Sequence, residues 1–307
     1  MFLNSILALT DFSADGDRAL ARAGHIARGH GAELRLMYKP SGTYQECLDP
    51  DTRLAQTASA MAQRLGLTVR TIEAGNGSLA HVLLQAEQAK LLVLPERSER
   101  GFVDTWFAGP DAIRFARHCR CPVLVVRGAT RRRLRQIVVG VDFSPASHDR
   151  AMFACLLDRD AQVELFHAVS TAGESQLRRA DLDRSVLRHY RDNRVEHARA
   201  KLGQMTESLY AHAMPVVSSA RIGEPGEQLM ARLAYTAADV VVVGKRRRHA
   251  AIDWLLRSTT HELLARSPCD VLVLPEEIQL SATPEPMPRL GEPVQPRWSA
   301  QPVLEGR

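Results

Sequence analysis

The chain repeats itself, and this limits its possible folds more than any other feature. Residues 5–13 read SILALTDFS and residues 136–144 read QIVVGVDFS, each an apolar run ending in Asp-Phe-Ser. A helical stretch follows in both places, marked by Asp17-Arg18-Ala19 and by Asp149-Arg150-Ala151. Second apolar runs come next, GAELRLMYK at 31–39 and AQVELFHAV at 161–169. The halves also close alike. LLVLP at 91–95 corresponds to VVVVG at 240–244, and CPVLVV at 121–126 to CDVLVL at 269–274. Matches in the same order across both halves identify a tandem duplication, so one fold must serve twice.

Within each half, short continuous Val/Ile/Leu runs alternate with amphipathic stretches such as 78–89 and 227–237. Continuous apolar strands, rather than alternating ones, point to burial on both faces and hence to a parallel sheet. Strand and helix in alternation give an α/β fold of two tandem doubly wound domains, with right-handed crossovers. A chain of 307 residues has the length for two such units. The divisions expected are 1–130, 131–275 and a tail at 276–307, where six Pro fall in 32 residues without apolar periodicity. The halves differ in the middle. A long charged helical segment at about 174–212 has only a shorter counterpart at about 51–65.

Composition excludes several classes of function. A net charge of +5, from 40 basic and 35 acidic residues, is too weak over this length to argue for nucleic acid. No apolar run approaches the roughly 20 residues of a membrane helix. The start, MFLNSILALTDFS, lacks a basic region and meets Asp11 early, unlike a signal peptide. Cys47, Cys119, Cys121, Cys155 and Cys269 form no C-x-x-C pair, as expected of reduced thiols in a cytoplasmic protein. Cys119 and Cys121 have no His pair nearby to complete a zinc site, and read as ordinary small residues at a strand entrance. No Gly-x-Ser-x-Gly elbow, His-Glu-x-x-His helix or Walker loop points to catalysis, and His81, His167 and His261 read as packing or surface residues.

The Asp-Phe-Ser strand ends, the segments GEPGEQLMARLAYTAADVVVVGKRRR and LLRSTTHELLARSPCDVLVL, and the closing CPVLVV and CDVLVL strands resemble the universal stress protein family. The resemblance implies a five-stranded parallel sheet of order 3-2-1-4-5 in each half, with the halves paired through their last strands. Val123 to Val126 and Val271 to Leu274 are those strands. Left exposed, such short apolar edges would be an aggregation hazard, so pairing within the chain is expected.

Nucleotide-binding members of that family carry G-x-x-G-x9-G-[ST] after the fourth strand, where bare backbone lets amides approach phosphates. In the second half this register falls on Gly244, Arg247, Arg257 and Ser258, so one glycine of three remains. In the first half it falls on Pro95, Ser98 and Ala108-Gly109, and no motif glycine keeps its place. The resemblance assigns Gly140, Val141, Asp142 and Ala168 to the nucleotide side of the same site. Asp142 also reads as a turn residue opening the next helix, as does Asp11 in the half without a phosphate loop. Lys245-Arg246-Arg247-Arg248-His249 reads as a solvated loop or as an anion site, and the arginines at 131–133 and 135 as a linker.

The function expected is a non-enzymatic stress-response protein with no cofactor, acting through an unspecified protein partner. Two alternatives stay open: an ATP- or AMP-binding sensor using the second half, and a basic polyanion- or RNA-binding protein.

Overall fold

A computed structural model describes residues 3–40, 47–73, 78–96, 111–127, 133–171, 184–212, 214–245 and 259–276. The tail beyond 276, the arginines at 131 and 132, and the segment at 172–183 lie outside them. So do Ser98, Ala108 and Gly109, and Arg246 to Ser258.

The first half runs β1 (Ser5–Thr10), α1 (Ala14–His30), β2 (Glu33–Tyr38), α2 (Pro50–Leu65), β3 (Val69–Ile72), α3 (Leu79–Ala86), β4 (Leu91–Pro95), α4 (Asp111–His118) and β5 (Val123–Val126). The second repeats it with β6 (Gln136–Gly140), α5 (Ala146–Leu157), β7 (Gln162–Val169), α6 (Arg184–Ala211), β8 (Val216–Ile222), α7 (Pro225–Thr236), β9 (Val240–Gly244), α8 (Thr259–Arg266) and β10 (Asp270–Leu274). All ten strands form one sheet in the order β3-β2-β1-β4-β5-β10-β9-β6-β7-β8. Each half is therefore a parallel 3-2-1-4-5 unit. The halves join where β5 meets β10 antiparallel, Leu124 opposite Leu272.

Local sequence explains the elements. Ser13 caps α1 by accepting the Gly16 amide, and Gly31 ends the helix in the left-handed conformation. Asp49 and Pro50 open α2, and Gly66 closes it the same way. The central strands β1, β4, β5, β9 and β10 are buried almost throughout. The outermost strands, β3 and β8, are half exposed and carry Arg70, Ser218 and Arg221, which makes them poor edges for another chain to pair with. On one face of the sheet α1, α2, α5 and α6 cover a core that includes Leu34, Leu36, Val139 and Leu165. On the other, α3, α4, α7 and α8 cover Leu92, Phe166 and Val241. The long helix α6 docks through Leu202, Met205 and Leu209, with Ala198 buried one turn earlier, a spacing of four, three and four that keeps one stripe on the sheet.

Polar groups lock the seam between the halves. Arg22 of α1 reaches across to Asp270, Nε to Oδ2 at 2.8 Å, and both side chains are almost wholly buried. The Arg127 amide donates to the other carboxylate oxygen of Asp270 at 2.8 Å. The Arg127 guanidinium donates to the carbonyls of Leu263, Leu264 and Ala265 at the end of α8, where a cation also favours the helix dipole. Lys245 donates to the Arg117 carbonyl at the end of α4.

Candidate functional site

An open parallel sheet binds ligands where its strand order reverses, outside the carboxyl ends of the strands. In the second half that point lies between β6 and β9, so the Asp-Phe-Ser turn after β6 and Gly244 at the end of β9 form its walls. Asp142 organises the turn. Its Oδ1 accepts the Ser144 amide at 3.1 Å, the Ser144 hydroxyl at 2.6 Å, the Ser147 hydroxyl at 2.8 Å, and Nη2 of Arg150. Burial alone would raise the carboxyl's pKa. The serine hydrogen bonds and the Arg150 charge outweigh it and hold the group well below the usual carboxylate range.

Arg150 is the decisive side chain. It projects from the first turns of α5, is only 4% exposed, and lies across the end of β9. A methyl group on Gly244 would overlap its Nη1. The bare backbone at Gly244 is thus used by the protein's own guanidinium. Nη2 is held further by the hydroxyls of Ser144 at 3.0 Å and Ser147 at 2.8 Å, while Nε has no hydrogen-bond partner among the described residues.

The first half builds the same turn without that glycine and without that arginine. Asp11 makes the same turn, accepting the Ser13 amide at 3.0 Å and the Ser13 hydroxyl. Arg150 lies eight residues after Asp142, and Ala19 stands eight residues after Asp11, while Pro95 replaces Gly244. Ala19 is fully buried, and its neighbour Arg18 is 42% exposed and paired with Asp15. The duplication keeps the turn and changes the occupant of the crevice.

Both turns force a phenylalanine into the left-handed region, Phe12 at φ 62° and Phe143 at φ 57°. Bulky residues adopt this conformation rarely, and here each ring is anchored. Phe12 stacks on Tyr38 at 5.1 Å, and the Arg53 guanidinium lies over its ring, 4.4 Å from the centroid. Phe143 packs on His167 at 4.3 Å, with Lys201 of α6 at 5.4 Å. His167 Nδ1 lies 2.7 Å from the Val141 carbonyl, and burial lowers the imidazole pKa despite that bond. Two open grooves of about 350 and 340 Å³ flank Phe143 against α6, the first bordered by His167, Tyr190 and Arg194.

Of the sequence candidates, Gly140, Val141, Asp142, Ala168 and Gly244 do gather at this end of the sheet. Gly140 is closed in, since a side chain there would press on Leu229 and Val243 at 3.3 Å. Val141 is buried. Ala168 lies on the face opposite His167, against the core under α7. Arg247, Arg257 and Ser258 lie outside the described residues. Sequence reasoning missed Arg150: Asp-Arg-Ala recurs after both turns, but one residue later in the second half, which moves the arginine one helix position round. Among the described residues no cluster of three His, Cys, Asp or Glu could hold a metal, and no helix is long and apolar enough to cross a membrane.

Comparison with known proteins agrees with this architecture. The model of the universal stress protein family matches residues 3–127 and again 133–275. A universal stress protein from Archaeoglobus fulgidus DSM 4304 shares the fold over 90% of this chain and 100% of its own, at 17% identity and a TM-score of 0.63. A functionally unknown protein from Pseudomonas aeruginosa PAO1 does so over 89% and 92%, at 20% identity and a TM-score of 0.62. No curated protein matches. With two family matches that together span both halves of the duplication, the chain belongs to the universal stress protein family.

Proposed function

We propose that this chain serves the stress response without chemistry of its own, by presenting its welded pair of domains to a protein partner, and that its second domain no longer holds a nucleotide. The observation that carries this reading is the place of Arg150. It is buried over Gly244, bonded to Asp142, and fills the crevice that a phosphate group would need. Loss of two loop glycines, at Arg247 and Arg257, supports the same reading from the sequence. In the first domain Pro95 removes both the open backbone and an amide donor.

Titration calorimetry of ATP and AMP into the intact chain tests it. The native protein should show no binding up to about 1 mM, equivalent to less than about 4 kcal/mol. Arg150→Ala combined with Arg247→Gly and Arg257→Gly should reopen the cradle and bind weakly, with Kd on the order of 100 µM. Tight ATP binding by the native chain that Arg150→Ala weakens would identify Arg150 as a ligand and the protein as a nucleotide sensor.

A further inference from the structure

A pair of cysteines outside the crevice carries an inference of its own. Cys119 follows α4 and Cys121 precedes β5, and their sulfurs lie 3.4 Å apart. Cys119 is buried and Cys121 half-buried. The duplication supplies an internal comparison. The Cys119 amide donates to the Phe115 carbonyl at 2.8 Å, and the Ser267 amide donates to the Leu263 carbonyl at 2.9 Å, so the two residues end their helices alike. Two positions on, Cys269 stands where Cys121 does, and its sulfur is 3.5 Å from the Ser267 hydroxyl. The turn therefore brings these side chains together in both domains, and only the first domain places a thiol at both positions.

We propose that Cys119 and Cys121 form a redox-active dithiol, which a peroxide-class oxidant converts to an intradomain disulfide. The Cys119 thiolate attacks one oxygen of hydrogen peroxide. The O–O bond breaks and the departing hydroxide takes a proton to become water. While Cys119 is a thiolate, its hydrogen bond and charge, together with burial, hold the Cys121 thiol protonated. Once Cys119 is the sulfenic acid that charge is gone, and Cys121 gives up its proton as it attacks the sulfenic sulfur, forming the S–S bond while hydroxide leaves and is protonated. Two thiols lose two electrons in total, and one peroxide becomes two waters. The environment favours the first step. A hydrogen bond from Cys121 lowers the pKa of Cys119 despite burial, and the charge of Lys245 from the other domain acts in the same direction. Burial raises Cys155 to about 12 and Cys269 to about 11, which leaves them poor nucleophiles. A bridge across one intervening residue closes a very small loop and constrains the unfolded chain little, so it should be reduced again readily.

Arg120 lies between the two cysteines, which makes the bond directly readable. Trypsin cleavage after Arg117, Arg120 and Arg127 yields two peptides, residues 118–120 and 121–127, that stay joined only through a disulfide. After exposure of the intact chain to hydrogen peroxide and alkylation of free thiols, the joined pair should appear by mass spectrometry. It should form at least about ten-fold faster than Cys155 or Cys269 loses its free thiol, and dithiothreitol should separate it. Cys119→Ser recreates the Ser-x-Cys pattern that the second domain already accommodates, and should abolish the joined peptide while Cys121 remains alkylated. The proposal is overturned if both thiols stay alkylatable in the native chain. It is equally overturned if peroxide drives each sulfur separately to sulfinic acid, or links them only between chains.

Discussion

Replacing Arg22 by methionine should expose how strongly the seam depends on one buried ion pair. Arg22 is 2% exposed and Asp270 is fully buried, and the pair spans the two domains. Methionine fills most of the space, so little of the expected loss comes from a cavity. What remains is an aspartate carboxylate with one fewer charged donor in a site without solvent. Removing one partner of a buried pair costs roughly 3–5 kcal/mol. Asp270 keeps the Arg127 amide, which places the expected loss near the lower end, about 3 kcal/mol. At about 2 °C per kcal/mol for a chain of this size, the melting temperature should fall by about 6 °C. Adding Asp270→Asn removes the stranded charge while keeping an acceptor for the Arg127 amide. The double variant should recover to within about 1 kcal/mol of the native protein. Urea unfolding of the native chain, both single variants and the double variant measures this cycle. A loss below about 1 kcal/mol for Arg22→Met, or a double variant no better than that single one, would refute the reasoning.

Other outcomes follow from the same structure. Halves expressed separately, 1–130 and 131–275, should dimerise or precipitate, because each exposes a β5 or β10 edge; light scattering showing two monodisperse monomers would contradict this. Gly244→Ala should expel the Arg150 guanidinium and cost about 1–3 kcal/mol, whereas the same change in an Arg150→Ala background should cost much less. The pKa of Asp142 is depressed in the folded state, so its contribution to stability is complete above the ordinary aspartate range and declines as pH falls below it. Asp142→Asn should flatten that acid limb in a melting series against pH. His30 bridges α1 to the Leu157 carbonyl and burial lowers its pKa, so neutral imidazole is favoured in the fold. Its share of stability is full above about pH 6.5 and shrinks as pH falls below that, a loss that His30→Gln should remove.

The fold was legible because duplication and burial both leave traces in residue order. Val/Ile/Leu runs marked β1, β4, β6, β9 and β10, and the family resemblance implied the β5–β10 seam that the sheet order shows. The third strands were harder to see. VRTI and VVSSARI are half exposed at the sheet's outer edges, so nothing forces an apolar run there. At the site, the resemblance named Gly140, Asp142 and Gly244, which lie together at the carboxyl end of β6 and β9. It did not reveal that Gly244 makes room for an arginine. An arginine in a helix's first turns reads as solvated, and only the three-dimensional approach of α5 to β9 shows that Arg150 folds inward. Asp270 is a similar case. It stands where the first half has Pro122, a difference that looks incidental in sequence and becomes the anchor for Arg22 and Arg127 in space.

The most direct test of an occupied crevice is the nucleotide content of the intact protein purified rapidly and without added nucleotide. Acid release followed by chromatography gives moles of ATP, ADP and AMP per mole of chain. With Arg150 seated over Gly244, all three should be far below stoichiometric, and Arg150→Ala should not lower them further. One nucleotide per chain, lost on Arg150→Ala, would contradict the account at its centre.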